Sequence, residues 1–368
     1  MLQRFFCPLK PSKGVRNENS DRRFYPQGGK HCITNALKQI FTYYGHPVSE
    51  EMLFGLASGL SFLYLNQSAS PMVSGRTKVF EFEKKLAGRL GITIKCKSSK
   101  QYSRVFQAAK HLIDEKDPVL IYADMPYLKY LDMDPDSHFG GHAVVLFGYD
   151  DAAQKFWISD RDNHDYPIRV PKGQISEDFH LADYEEVEMA RTSTHRPFPA
   201  NNKYLVFDLT GYREPGKAVL CEAVMETCNT MLYPPAQLLG INGILKFSKE
   251  ILKWKQFSPD KLRLAGITNY FQIRADGGTG GGIFRKMYGG FLCECAPVFQ
   301  DERLPETGQR FIQTAALWDV VGEDLWQLSQ NGNTELLEKM STSIAEIYKM
   351  EKDMYLSLLE IIKLHLAE

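Results

Sequence analysis

Three observations predict an α+β fold. From Cys32 onward the apolar residues Ile33, Leu37, Ile40, Phe41 and Tyr44 recur at helical spacing. Further along, 118–123 (PVLIYA) and 142–149 (HAVVLFGY) are continuous apolar runs of strand length, as expected of buried strands. After about residue 214 long helical patterns replace the strands almost entirely. A helix followed by a run of strands, without regular βαβ alternation, is the α+β pattern. The chain is therefore expected to divide into an α+β domain over 1–213 and a mainly helical domain over 214–368.

The individual elements follow in order. Residues 1–30 are polar and rich in Gly and Pro, ending in Tyr25-Pro26-Gln27-Gly28-Gly29-Lys30, an irregular lead-in to the first helix. Gly45 and Pro47 stop that helix. Ser49 can cap the next, where Glu50 and Glu51 suit its positive N-terminal end. Two more helices around a short strand at 92–95 are predicted between 76 and 117. Strands are predicted at 118–123, 142–149, 156–160, 166–170 and 203–208. Helices are predicted at about 216–231, 236–256, 258–273, 281–296, 308–330 and 333–366. The last is long and amphipathic, a bundle helix or the seam of a homodimer.

With 43% hydrophobic and 24% charged residues, the 368-residue chain is long and apolar enough to bury a real core. A net charge of −1 argues against nucleic-acid binding, which needs a basic face. The seven cysteines are irregularly spaced and odd in number, which suits neither a disulfide framework nor a zinc site. No apolar stretch has the length of a signal-peptide core or a membrane span, so a reduced, cytoplasmic setting is expected.

Cys32 stands at the predicted start of the first long helix, after a glycine turn. The positive end of a helix lowers a thiol's pKa, and its unpaired N–H groups can receive an oxyanion. Gln27 lies five residues upstream and can donate a further hydrogen bond to that oxyanion. The plainer reading of Cys32 is a small buried hydrophobe. What favours the reactive reading is a histidine and an aspartate in matching places. His142 opens one strand, Asp160 closes the next, and residue 151 lies midway between them in the turn. A hairpin folded there sets the two side by side, about 5 Å apart. This is the nucleophile–base–orienter logic of a catalytic triad. His31 and His138 are competing bases, and Asp162 is a competing orienter.

These residues carry a resemblance. The stretch Gly29-Lys30-His31-Cys32-Ile33-Thr34-Asn35-Ala36-Leu37, then Tyr44-Gly45-His46 and the run 49–60 (SEEMLFGLASGL), resembles the N-terminal domain of the butirosin biosynthesis protein H family. His138-Phe139-Gly140-Gly141-His142-Ala143-Val144-Val145 and Ser159-Asp160-Arg161 fit the same family. The half after 214 is similar to the uncharacterised helical region that often follows this domain, through Gly278-Thr279-Gly280-Gly281-Gly282-Ile283-Phe284-Arg285. The resemblance implies a papain-like cysteine-proteinase fold related to double-glycine peptidases, with Cys32, His142 and Asp160 as the triad. It further implies acyl transfer from an acyl-carrier-protein thioester to a small amine-bearing acceptor. A cysteine peptidase or amidase, and a non-catalytic peptide- or carrier-binding module, are the rival readings. None of these needs a metal or an organic cofactor.

The glycine run 277–282 precedes a predicted helix, and such helix ends can hold phosphate. Gly280, Gly281 and Arg285 can then grip the phosphate of a phosphopantetheine arm. The alternative is that the glycines let this helix pack closely against the first domain. Tyr127, Tyr130 and Phe139 either line a pocket or serve as packing.

Overall fold

The computed structural model of the chain describes residues 24–160, 169 and 179–367, apart from positions 68, 79 and 197. The predicted strand at 166–170 and the alternative orienter Asp162 lie outside the described residues.

Helices α1 (Cys32–Tyr43) and α2 (Glu50–Leu56) come first, followed by a two-stranded ribbon, β1 (Leu60–Asn66) and β2 (Pro71–Arg76). Then come α3 (Glu81–Leu90), β3 (Thr93–Lys97), α4 (Tyr102–Asp114), β4 (Val119–Ala123), β5 (His142–Asp150), β6 (Lys155–Ser159), β7 (His180–Asp183), α5 (Tyr184–Thr192) and β8 (Tyr204–Asp208). The chain ends in α6 (Lys217–Leu232), α7 (Gly240–Glu250), α8 (Pro259–Ile273), α9 (Arg285–Phe299), α10 (Arg303–Asn331) and α11 (Leu336–Ala367). The fold is α+β: the sheet is antiparallel, in the order β3-β8-β4-β5-β6-β7, and the helices follow it.

The β5–β6 hairpin departs from its predicted register. Its turn occupies 151–154, so Val145 pairs with Ser159, Leu146 with Ile158 and Asp150 with Lys155. Residues 142 and 160 are therefore not direct cross-strand partners. Extending the ladder from Val145 and Ser159, the register has moved by two residues. A shift of two keeps the same face, so the residues become diagonal neighbours, within reach of long side chains.

Strand β5 is apolar on both faces because both are covered. Ala143, Val145 and Phe147 join a large core with α1, α2 and the helices after 216, whereas Val144 and Leu146 pack with α4 and α5. The helical half is docked tightly. Asn269 of α8 accepts a hydrogen bond from Val73 N–H (2.8 Å) and donates to Pro71 O (2.9 Å). Gly55 of α2 has no room for a side chain, since a Cβ would lie 2.0 Å from the Phe291 ring. The apolar stripe of α11, including Ile344, Ile347, Met354 and Leu358, is buried within the chain's own core. No helix among the described residues is long and apolar enough to cross a membrane.

Candidate active site

The site is built around the start of α1. His31 is its N-cap in an extended conformation (φ −141°, ψ 128°), but its side chain makes no capping bond. Glu50, the first residue of α2, instead fastens the turn that leads into the helix. Its carboxylate accepts from Lys30 N–H (3.0 Å), His31 N–H (3.2 Å) and Thr34 Oγ1–H (2.8 Å). Burial pushes the Glu50 carboxyl up in pKa, against the pull of Lys38 and these donors. The preceding turn is fastened along α1. Gln27 N–H donates to Gln39 Oε1 (3.0 Å), Asn35 Nδ2 donates to Gln27 O (3.1 Å), and Lys38 donates to Gly28 O (2.6 Å). Gly29 must be glycine here, since a Cβ would lie 2.3 Å from Asn35 Cβ. Gln27 thus lies along the first two turns of α1, held by its backbone.

The first intrahelical bond of α1 runs from Asn35 N–H to His31 O (2.8 Å). The N–H groups of Cys32, Ile33 and Thr34 are therefore not used within the helix. Half-buried Cys32 sits at this open end, where the ring of His142 and the N–H of Ala143 act to lower its pKa. His142 Nε2 bonds Asp160 Oδ2 at 2.8 Å, which leaves Nδ1 to face the thiol. Asp160 is also positioned by Tyr130, whose hydroxyl donates to Oδ2 (2.8 Å). Tyr130 stacks on His180 (4.0 Å between ring centres), and His180 reaches Asp160 O at 3.2 Å. Ser159 Oγ donates to Gln39 Oε1 (2.6 Å), tying the end of β6 to α1 beside Gln27.

The electrostatics form one consistent set. Burial pushes the Cys32 thiol up, but the His142 hydrogen bond and charge, Ala143 N–H and Arg76 together bring it below the ordinary thiol value. Burial disfavours a charged His142, yet Asp160 and Cys32 outweigh it and hold the imidazole well above its usual range. Burial likewise works against the Asp160 carboxylate, but His142, Tyr130 and His180 keep it below its usual value. Each shift runs in the direction that favours the charged form of its group.

The competing bases lie elsewhere. His31 is buried, packs edge-on against Phe284 (5.2 Å) and meets Thr34 Oγ1 through Nδ1 (3.3 Å). Burial first, then Arg76 and His142, holds it neutral, well below its usual pKa. His138 is engaged with Asp124 (2.9 Å) and stacks on His195.

Arg285 is at odds with the expected grip on a ligand phosphate. It is 0% exposed and makes a two-pronged ion pair with Glu351, with Nε–Oε1 and Nη2–Oε2 both 2.9 Å. Its remaining donors reach Ser61 O and Ile283 O, and the guanidinium lies over Phe62 and Trp318. Gly280 (φ +67°) and Gly281 lie buried in a left-handed run, where Gly280 abuts Met287 and Lys30. The loop packs on the turn that precedes Cys32, the close-packing alternative raised by its glycines. Among the described residues no group of three or more His, Cys, Asp or Glu is arranged to hold a metal ion.

Sequence reasoning missed Gln39, Arg76 and His180, and read Glu50 only as a favourable first-turn charge of α2. No local signal links Glu50 to the start of α1. Tyr130 stood out only as one of three aromatic residues before His142.

A family model for the N-terminal domain of butirosin biosynthesis protein H matches residues 31–161, and a model for a domain of unknown function (DUF4872) matches residues 185–358. The chain therefore carries a domain similar to the N-terminal domain of butirosin biosynthesis protein H, ahead of that domain of unknown function. The matched butirosin biosynthesis protein H segment runs from His31 to just past Asp160 and so contains Cys32 and the hydrogen-bonded pair His142 and Asp160. The first match relates the chain to antibiotic biosynthesis, a branch of secondary metabolism. No curated protein matches the chain.

Proposed function

We propose that the chain is a cysteine-nucleophile acyltransferase of secondary metabolism. It would move an acyl or aminoacyl group from a carrier-protein thioester to a small amine. The Cys32 thiolate attacks the thioester carbonyl. The oxyanion is received by the open N–H groups at the start of α1, with the Gln27 side-chain amide as a further donor. As the tetrahedral adduct collapses, the carrier's phosphopantetheine thiol leaves with the proton of His142. His142, now neutral, takes a proton from the incoming amine as it attacks the acyl-enzyme. Collapse then frees the amide and regenerates the Cys32 thiolate beside an imidazolium. Asp160 keeps the imidazole oriented and supports its charge throughout.

The observation that carries this reading is Cys32 at an open helix end, its thiol held below its ordinary pKa by a His142 that is itself hydrogen-bonded to Asp160. In this reading the catalytic domain is 1–213, of papain-like type, and the helical domain 214–368 buttresses the nucleophile turn through its glycine loop.

The test presents the protein with acyl-carrier thioesters and with peptides, with and without a small amine such as an aminoglycoside. Amide formation on the amine, abolished by Cys32→Ala, is the expected result. Peptide cleavage with water as acceptor would instead make it a peptidase of double-glycine type. Cys32→Ala retaining full activity in the cell would mark a non-catalytic binding module.

A further inference from the structure

Tyr130 sits in a short 3₁₀ turn (Lys129–Leu131) on the connection between β4 and β5. Leu128 and Leu131 are buried in the core shared with α4 and α5, so the turn is anchored on both sides of the tyrosine. The phenol ring lies flat on His180 of β7, with 4.0 Å between ring centres and 8° between the planes. His180 is itself buried, pairs with Ile158 across the ladder and reaches Asp160 O through Nε2 (3.2 Å). The aim of the Tyr130 hydroxyl is thus set by a ring tied to the residue that the hydroxyl serves.

The atom it meets decides what it can do. The Tyr130 hydroxyl and His142 Nε2 both donate to Oδ2 of Asp160, each at 2.8 Å. Two donors on one carboxylate oxygen compete for its charge. While His142 is neutral, that charge is uncompensated and the phenol makes a full charge-assisted bond. Once His142 is protonated, the imidazolium neutralises part of the charge and the phenol bond weakens. The phenol therefore stabilises the state with neutral imidazole more than the state with imidazolium. By linkage it lowers the affinity of His142 for a proton. Such a restraint has a use here. Asp160 and Cys32 together push His142 well up, yet His142 must be neutral when it takes a proton from the incoming amine.

We propose that Tyr130 is a positioning residue that limits the basicity of His142, acting through the oxygen of Asp160 that both of them share. This rests on the reading of His142 as the base of Cys32. The plainer role, in which Tyr130 only orients Asp160, predicts the opposite sign, because a looser carboxylate supports the imidazolium less. Besides Asp160, the titratable groups that face His142 are Cys32 and His31, and those that face Asp160 are His142, Tyr130 and His180. Tyr130→Phe removes one hydroxyl, keeps the stack on His180 and leaves all the others in place.

The test follows the His142 ring by NMR in histidine-labelled protein as pH is raised, in the unmutated chain and in Tyr130→Phe. The midpoint rises by about half a unit in the variant, about threefold in proton affinity, and the alkaline limb of acyl transfer rises with it. In an Asp160→Asn background the same substitution moves the midpoint much less, since the shared charge is gone. The unmutated protein gives a readout that needs no variant to fold. Its Tyr130 hydroxyl proton moves downfield, the sign of a strengthening bond, as pH rises through the His142 midpoint. A midpoint that stays or falls in Tyr130→Phe overturns the proposal. So does an undiminished shift in the Asp160→Asn background, or a hydroxyl proton that stays or moves upfield. Absence of acyl transfer in the unmutated protein, with the titration shifted as expected, removes the acyltransferase reading and leaves the effect of Tyr130 on His142 in place.

Discussion

Replacing Asp160 by Asn removes one negative charge from beside His142 while keeping the shape of the side chain. Oδ2 of Asp160 serves two donors, His142 Nε2 and the Tyr130 hydroxyl, each at 2.8 Å. An asparagine carbonyl placed there still accepts from both, so the ring stays oriented and only the charge is lost. A charge-assisted hydrogen bond becomes a neutral one, a loss of about 1–2 kcal/mol. That corresponds to about one pKa unit on the imidazole. The thiolate–imidazolium pair exists between the lowered pKa of Cys32 and the raised pKa of His142. The alkaline edge, set by His142, moves down in the variant, while the acid edge does not rise, since the imidazolium is still charged there and one anion fewer opposes the thiolate. The alkaline limb of acyl transfer therefore falls by about one unit, and transfer above it drops about tenfold. Stability follows the same charges. The lowered Asp160 pKa contributes stability that is lost as pH falls through it. The raised His142 pKa contributes stability that is lost as pH rises through it. The melting-temperature gap between parent and variant is therefore widest at about pH 4–6.5, between the unperturbed carboxylate and imidazole values. An alkaline limb of acyl transfer that does not move in Asp160→Asn would refute the reasoning.

Glu50→Ala strands the Lys30 and His31 N–H groups and the Thr34 hydroxyl. It should cost about 2–4 kcal/mol in chemical denaturation and slow Cys32 alkylation; parent-like values in both would show that Glu50 does not organise the start of α1. Glu351→Leu leaves Arg285 charged and buried and should cost about 3–5 kcal/mol. Adding Arg285→Met should recover part of that loss, although Trp318 Nε1–H still lacks its acceptor, and additive losses measured by denaturation would contradict direct coupling of the two charges. Gly55→Ala places a Cβ 2.0 Å from the Phe291 ring and should cost about 1–3 kcal/mol, read as a lowered denaturation midpoint.

The start of α1 was legible because its apolar period is regular and Gly45 with Pro47 ends it. Strands β4 and β5 were legible as unbroken apolar runs, a pattern that follows from burial on both faces. The ribbon β1–β2 was missed. Its alternation of Leu60, Phe62 and Tyr64 is real, but those residues are covered by distant helices, with Phe62 stacked on Trp318 and Tyr64 packed on Phe247. The hairpin register was misplaced by two because the turn spans 151–154 and an irregularity sits between Leu146 and Gly148. An even shift preserves the face, so His142 and Asp160 still meet. Arg285 looked available because an arginine beside glycines reads as a ligand site. Its partner Glu351 is 66 residues away, and no local pattern announces such a pair.

The most direct measurement is the intact mass of the protein after brief mixing with an acyl-carrier thioester and acid quench, followed by peptide mapping. The account predicts a gain equal to the acyl group, located on Cys32 and discharged when an amine is added. Acyl transfer that proceeds undiminished in Cys32→Ala, or an adduct located on another residue, would contradict it.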